Sequence, residues 1–239
     1  MGSVKLQGDW SQDEIQDLRS NFGISSDDAA ELTLVKNENQ IQLKSHDGHH
    51  LCFDFDLNRV DYHRKTSKSS DPLLKALGYS KGIRNVIDLS MGLAIDSLFL
   101  AQNGFTVTSI ERHPLMALLV RQAQKNSTRE FVKKIDFVHS SAQEFLKSLN
   151  TPEKTAAYFD PMFPHKKKSA LPRQEMVFFR KLVGSDDDAS ETLALAISKK
   201  FERVVVKRPL KAPALLPQVS YTIETKLMRF DVYKSQESS

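Results

Sequence analysis

The 239-residue sequence is poor in several features that mark whole classes of protein. It has one cysteine, Cys52, which cannot form a disulfide within the chain, so nothing argues for an oxidising compartment. No apolar run approaches the roughly 18 residues that a membrane-spanning helix needs, and the N-terminus lacks the charged-then-apolar pattern of a secretory signal. We therefore predict a cytoplasmic protein with no membrane partner.

Several catalytic signatures are also missing. The sequence contains no G-x-S-x-G, H-E-x-x-H or G-K-S/T pattern, which counts against a hydrolase nucleophile elbow, a zinc protease and a P-loop. His46, His49 and His50 surround Asp47-Gly48, but a turn explains this cluster better than a metal site does. No metal is expected.

The composition itself is that of an ordinary globular protein. Hydrophobic residues make up 40% of the chain and charged residues 27%, which excludes disordered and collagen-like classes. The formal net charge of +4 permits an anionic partner without requiring one. The length predicts one large domain or one domain with a small appendage.

The N-terminal part has the pattern of a small β subdomain. A short helical pattern ends at Gly23, and from Ala30 to Phe55 apolar residues alternate with polar ones. Turn residues at 37–39 and 47–48 interrupt this alternation, which predicts a small antiparallel meander. A polar and basic link follows, so residues 1–70 are predicted to form an N-terminal antiparallel β subdomain.

Beyond residue 70 the pattern is that of an α/β domain. Short apolar runs alternate with helical segments, which predicts a parallel sheet with crossover helices. Two final runs are separated by only two residues, which forces an antiparallel pair. Residues 71–239 are thus predicted to form a Rossmann-like class I methyltransferase sheet, mostly parallel and closed by an antiparallel hairpin. The predicted strands are 86–89, 106–111, 135–139, 156–160 and 203–207, and the hairpin is 221–226 with 229–233.

Polar residues follow the first three predicted strands, where a ligand of an open α/β sheet binds. Asp88 ends the first strand, and Gly92 in the next turn lets the backbone approach a ligand closely. Glu111 ends the second strand and follows Asp88 by 23 residues. This is close to the interval of roughly 20 residues at which an acidic residue reaches ribose hydroxyls. Ser140 and Ser141 follow the third strand, where an adenine edge is commonly held, although helix capping also explains them.

The fourth predicted strand ends in the loop Asp160-Pro161-Met162-Phe163. It resembles the Asp/Asn-Pro-Pro-Tyr/Phe loop of methyltransferases that act on exocyclic or planar amide nitrogens. Asp160 and the Pro161 carbonyl can accept amino protons, and Phe163 offers a face on which a base can stack. Hydrogen-bond acceptors beside the target amine orient its lone pair, so positioning can account for much of the rate enhancement.

Basic residues cluster around this loop and favour a nucleic-acid partner. Lys207 and Arg208 at the end of the fifth strand could instead pair with Asp186, Asp187 and Asp188, although these acids are also typical of a helix N-terminus. The predicted RNA-binding residues are Arg64, Lys65, His165, Lys166, Lys167, Lys168, Arg173, Lys207 and Arg208.

Several stretches together resemble the small-subunit ribosomal RNA guanine-N2 methyltransferase J family. They are DLSMGLAIDSLFLAQNGFTVTSIERHP, HSSAQEFL, YFDPMFPHKKKSALPRQEM, VVVKRP and TKLMRFDVY. The resemblance covers roughly residues 51 to 234 and is sharpest in DPMFPHKKKSAL. It implies methyl transfer from S-adenosylmethionine to the exocyclic N2 of a guanosine, with small-subunit ribosomal RNA or the ribosomal subunit as partner. The family's cofactor contacts fall on Asp96, Glu111, Arg112, Ser140, Ser141 and Asp160.

The sequence leaves two alternative functions to consider. Ala94 and Ile95 stand where the family usually has a second glycine and an arginine, which motivates a non-catalytic RNA-binding protein with a degenerate cofactor loop. A nicotinamide-dependent oxidoreductase is disfavoured by the single glycine of the turn and by the terminal hairpin.

Overall fold

The computed structural model describes residues 2–38, 40–56, 70–150, 153–162, 174–184 and 186–234. Within these ranges the chain forms two β-sheets, and no helix there is long and apolar enough to cross a membrane.

The N-terminal sheet has five strands and one helix. The predicted meander corresponds to three antiparallel strands. The periodicity did not predict the strand Gly2–Gln7. This strand pairs in parallel with Leu32–Asn37, the first strand of the meander, and with Ile24–Ser26, a short strand after the helix. The sheet is therefore mixed, and the prediction of a wholly antiparallel subdomain is wrong in this respect. The elements are β1 (Gly2–Gln7), α1 (Gln12–Phe22), β2 (Ile24–Ser26), β3 (Leu32–Asn37), β4 (Gln40–Ser45) and β5 (His50–Cys52), in sheet order β2-β1-β3-β4-β5.

Helix α1 begins and ends on local signals. The Ser11 side chain accepts a hydrogen bond from the Glu14 amide, and the Glu14 carboxylate accepts one from the Ser11 amide. This capping box satisfies two amides of the first turn. Gly23 ends the helix in a left-handed conformation with φ +63°, as its position after the helical pattern predicts.

The second sheet has seven strands with helices between them, as the alternating pattern predicts. Its elements are α2 (Pro72–Leu77), a short 3-10 helix (Tyr79–Lys81), β6 (Asn85–Asp88), α3 (Ile95–Gln102), β7 (Thr106–Glu111), α4 (Pro114–Asn126), α5 (Glu130–Lys133), β8 (Asp136–His139), α6 (Ala142–Ser148), β9 (Thr155–Phe159), α7 (Gln174–Val183), α8 (Ala189–Ser198), β10 (Arg203–Pro209), β11 (Tyr221–Glu224) and β12 (Met228–Tyr233).

The strand order is β11-β12-β10-β9-β6-β7-β8. Strands β6 to β10 are parallel, and β12 is antiparallel to both of its neighbours. The predicted mostly parallel sheet with a closing hairpin is confirmed. The chain order reverses between β6 and β9, and the carboxyl ends of strands beside such a switch point form a ligand-binding crevice.

The two sheets share part of their hydrophobic core. Leu18 of α1, Leu34 of β3 and Leu43 of β4 are buried in one cluster with Met116 of α4 and Phe179 of α7. Residues of the predicted N-terminal subdomain thus pack directly on helices of the α/β sheet.

Candidate active site

A cavity of about 350 Å³ opens at the carboxyl ends of β6, β7, β9 and β10. This volume lies within the range of small-molecule sites, roughly 300 to 1,000 Å³. Most of the predicted ligand contacts that the structure describes line it, whereas Ser140 and Pro161 lie next to lining residues. The predicted residues in the lining are Asp88, Gly92, Asp96, Glu111, Arg112, Ser141, Asp160 and Lys207.

Asp88 organises the end of β6. Its carboxylate accepts hydrogen bonds from the Ser90 amide at 3.0 Å and from the Ser97 hydroxyl at 2.5 Å. Ser97 also lies 2.8 Å from the Ser109 hydroxyl of β7. Burial raises the pKa of Asp88 to about 6, although these hydrogen bonds favour the charged form. The carboxylate therefore joins the strand end to helix α3.

The turn between β6 and α3 uses two left-handed residues. Gly92 has φ +54°, and a side-chain carbon there would lie 3.3 Å from the Phe179 ring. Ala94 has φ +57° and is fully buried, and its amide donates to the Met91 carbonyl at 2.8 Å. Glycine adopts this conformation without steric cost, whereas alanine is strained in it. Alanine nevertheless forms the complete turn in this chain.

Glu111 connects the ends of β6 and β7. Its carboxylate accepts hydrogen bonds from the Gly92 amide at 3.1 Å and from the His113 amide at 2.7 Å. The side chain is buried, and burial raises its pKa to about 7. The carboxylate thus lies in the cavity wall beside the glycine turn.

Asp160 lies in the loop after β9. Its amide donates to the Ser90 hydroxyl at 2.7 Å, and its carboxylate lies 2.8 Å from the Lys207 ammonium. Burial raises the pKa of Asp160, Lys207 opposes this effect, and the neighbouring Asp96 adds to it. Asp96 in turn accepts hydrogen bonds from the Tyr158 hydroxyl at 2.6 Å and from Lys207 at 2.8 Å.

Arg112 and Ser141 also line the cavity. The Arg112 guanidinium pairs with Asp186 and Asp188, and the Asp186 carboxylate accepts a hydrogen bond from the Met162 amide at 2.6 Å. Asp186 and Asp188, two of the acids before α8, therefore pair with Arg112. Ser141 caps α6 and accepts a hydrogen bond from the Glu144 amide at 3.1 Å.

Comparison with known proteins decides the family. The family model described as "Putative SAM-dependent methyltransferase" matches residues 17–235. A protein of Bdellovibrio bacteriovorus named ribosomal RNA small subunit methyltransferase J is 48% identical over 185 residues, covering 77% of this chain and 73% of its own. A protein of the same name from Photobacterium profundum is 36% identical and covers 93% of each chain.

The chain belongs to the ribosomal RNA small subunit methyltransferase J family. It is an S-adenosylmethionine-dependent methyltransferase. A crystal structure of a SAM-dependent methyltransferase from Neisseria gonorrhoeae has the same fold, with a TM-score of 0.74, 24% identity, and coverage of 99% of this chain and 97% of that one. The family match begins at residue 17, so it includes part of the N-terminal segment that the motif resemblance leaves out.

The cavity suits the cofactor of this methyltransferase. Its lining contains six carboxylates and two cationic side chains, and both cations are paired with carboxylates. Such an acidic site favours the positively charged sulfonium and amino groups of S-adenosylmethionine. Ile110, Leu93 and Met162 provide apolar surface beside these acids, which a planar adenine ring requires.

Two cations predicted on the RNA-facing rim of the methyltransferase lie elsewhere. Lys207 extends into the cavity, where it contacts Asp96 and Asp160. Arg208 is 5% exposed, and its guanidinium donates to the Pro213 carbonyl. Successive residues of a strand point to opposite faces, so the two side chains of β10 separate. Their assignment to a phosphate-binding rim is therefore corrected.

Several predicted residues lie outside the described part of the chain. They are Phe163 of the aromatic loop and the basic residues Arg64, Lys65, His165, Lys166, Lys167, Lys168 and Arg173. Their predicted roles stay predictions. Among the described residues, the sequence did not indicate a role for Tyr158 or the pairing of Lys207 with Asp96 and Asp160 and of Arg112 with Asp186 and Asp188. Tyr158 occupies a buried position within an apolar strand and carried no separate signal.

Proposed function

We propose that this methyltransferase modifies the exocyclic N2 of a guanosine in small-subunit ribosomal RNA. The relatives from Bdellovibrio bacteriovorus and Photobacterium profundum are named for small-subunit ribosomal RNA, and the motif resemblance supports the guanine N2 position. Such a substrate is present in the cytoplasm, in agreement with the predicted location.

The observation that carries this proposal is the position of Asp160. Its carboxylate lies at the end of β9, in the same cavity as Glu111, and its side chain is 33% exposed. A guanine amino group is a weak nucleophile because its lone pair is delocalised into the ring. A carboxylate that accepts a hydrogen bond from this amino group orients the lone pair and stabilises the positive charge that develops on the nitrogen as it is methylated. The same carboxylate can accept the proton that the methylated amine then loses.

The remaining roles follow from placement in the cavity. S-adenosylmethionine supplies an activated methyl group when it is bound. We assign Glu111 to the ribose hydroxyls, Ser141 with Ser140 to the adenine edge, and Arg112 to the cavity wall beside them. Asp88 and Gly92 shape the turn against which the cofactor lies, and Asp96 lies at the start of α3 near Asp160. Pro161 and Phe163 are proposed to present a carbonyl and a stacking face to the base.

The proposal predicts a large and selective effect of Asp160→Asn. Loss of the carboxylate is expected to lower the rate of methyl transfer by about 10² to 10⁴ fold, the range for a group that accepts a proton in the transition state. Affinity for S-adenosylhomocysteine is expected to change far less. The assay measures methyl transfer to small-subunit RNA and to assembled subunits that lack the modification, and nucleoside mass spectrometry identifies the product.

Asp136→Asn is the matched control, because Asp136 is exposed at the amino end of β8. Its rate is expected to equal that of the wild type. An Asp160→Asn enzyme that retains the wild-type rate contradicts the assigned role. A product other than N2-methylguanosine contradicts the proposed position of methylation.

A further inference from the structure

Lys207 occupies a position that the sequence pattern did not predict. Its ammonium lies 2.8 Å from a carboxylate oxygen of Asp160 and 2.8 Å from one of Asp96. The lysine side chain is 23% exposed and those of Asp96 and Asp160 are 16% and 33% exposed. A cation therefore bridges the loop after β9 to the first turn of α3, inside the cavity.

We propose that Lys207 is a positioning residue for methyl transfer, because its ammonium keeps the Asp160 carboxylate ionised and directed into the cavity. This inference rests on the proposed role of Asp160. Lys207 does not itself contact the reacting atoms in this proposal. It acts through Asp160, and through Asp96 it connects that carboxylate to helix α3.

The acidic surroundings explain why a cation is needed there. Like charges disfavour one another's ionised forms, and burial adds to this effect. Asp160 has a raised pKa even with Lys207 in contact. Burial lowers the pKa of Lys207, but the carboxylates of Asp160 and Asp96 outweigh it and raise that pKa above its ordinary value, so the lysine stays protonated. The groups that face Asp160 are Asp88 from β6, Asp96 from α3, Tyr158 from β9, Asp186 before α8 and Lys207 from β10.

The same geometry argues against a phosphate contact for Lys207. A phosphate would have to compete with two carboxylates that already lie at hydrogen-bond distance. Asp96 is itself held by the Tyr158 hydroxyl at 2.6 Å, so it cannot turn away without losing that hydrogen bond.

The test is the pH dependence of methyl transfer in Lys207→Met. Removal of the cation is expected to move the acidic limb of the kcat/KM profile upward by roughly 1 to 3 pH units, the usual effect of an opposite charge at this range. At pH values below both limbs the variant is then about 10 to 1,000 fold slower than the wild type, and its rate recovers as the pH rises above the shifted limb. Lys207→Arg retains the charge and is expected to keep the acidic limb near its wild-type position.

Asp96→Asn provides a second, opposite shift. Loss of this like charge is expected to move the acidic limb of the kcat profile to lower pH when the cofactor is saturating. The reason is that the Lys207 ammonium then has one ionised carboxylate, Asp160, as its partner instead of two. Lys133→Met is the matched control, since Lys133 forms an exposed pair with Glu130 on α5, and its profile is expected to equal that of the wild type. Asp88 and Glu111 titrate in every variant, so only the shift between variants is diagnostic.

Three results would overturn the inference. One is a Lys207→Met rate that falls by the same factor at every pH, which indicates a structural role. Another is a weaker RNA affinity of Lys207→Met in which the slope of log affinity against log salt concentration is smaller by about one, because this indicates a lost phosphate contact. The third is an Asp96→Asn limb that shifts upward. Product analysis of the wild type tests the proposed function separately, because the pH comparison holds for whichever nucleotide is methylated.

Discussion

At the scale of single residues, Glu111 shows how burial can make a binding group sensitive to pH near neutrality. Its carboxylate accepts two backbone hydrogen bonds, which favour the charged form, yet burial dominates and raises its pKa to about 7. The carboxyl group takes up a proton as the pH falls through this value. An ionised carboxylate can accept hydrogen bonds from two ribose hydroxyls, whereas a protonated carboxyl group has fewer acceptor sites.

Cofactor affinity should therefore depend on Glu111 and on pH together. We expect Glu111→Ala to bind S-adenosylhomocysteine roughly 10 to 100 fold more weakly at pH 8, the usual contribution of hydrogen bonds to a charged group. Wild-type affinity is expected to fall between pH 8 and pH 6, and Glu111→Gln is expected to lack this dependence. Isothermal titration calorimetry measures both effects. Equal affinity of the wild type and Glu111→Ala at pH 8 would show that Glu111 does not bind the cofactor.

At the scale of elements, the turn from β6 to α3 determines how closely the backbone approaches the cavity. It contains two left-handed residues, of which only Gly92 is a glycine. A side chain at Gly92 would meet strain from its φ of +54° and a close contact with Phe179. At Ala94 the fully buried methyl group compensates part of the same strain.

Exchanging alanine and glycine at these two positions should have unequal effects. We expect Gly92→Ala to lower the free energy of unfolding by about 1 to 3 kcal/mol, the cost of a strained left-handed residue. Ala94→Gly is expected to change it by less than about 1 kcal/mol, because relief of strain is offset by the lost methyl group and by a more flexible unfolded chain. Urea denaturation measures both values. A larger loss in Ala94→Gly than in Gly92→Ala would contradict this account of the turn.

At the scale of the whole molecule, the two sheets are joined by a shared core. Phe22 at the end of α1 is 5% exposed, its ring stacks on His139 of β8 at 5.5 Å, and the Arg121 guanidinium of α4 lies 5.2 Å from it. We retain the division into residues 1–70 and 71–239 as a proposal about organisation. The common core implies that the two parts unfold together.

Thermal unfolding of the full chain is accordingly expected to show one transition. Phe22→Ala should destabilise this single transition by about 3 to 5 kcal/mol, the usual cost of removing a buried aromatic side chain. Leu227→Ala is the matched surface control, because Leu227 is 79% exposed, and its effect is expected within about 0.5 kcal/mol of zero. Scanning calorimetry makes the measurement. Two separate transitions, with only one affected by Phe22→Ala, would show that the sheets unfold independently.

The local pattern of the sequence was sufficient for the order of the strands in the α/β part and for most of the cavity, but not for β1 and β2. Period-two alternation and helical spacing depend only on neighbouring residues, so strands such as β7 and β9 and the capped helix α1 could be predicted from it. Asp88, Glu111 and Asp160 could be placed at one site because the carboxyl ends of parallel strands meet at the same edge of a sheet.

Only the tertiary structure decided which side chains contact one another in the cavity at the carboxyl ends of the strands. Lys207 is 111 residues from Asp96 in the sequence, and Arg112 is 74 residues from Asp186, so no local pattern reports either pair. The parallel pairing of β1 and the position of β12 between β10 and β11 also depend on contacts between distant segments. The sequence by itself determined which chemical groups lie at the sheet edge, because local periodicity sets strand ends. The fold determined how their charges are paired, because that depends on long-range packing.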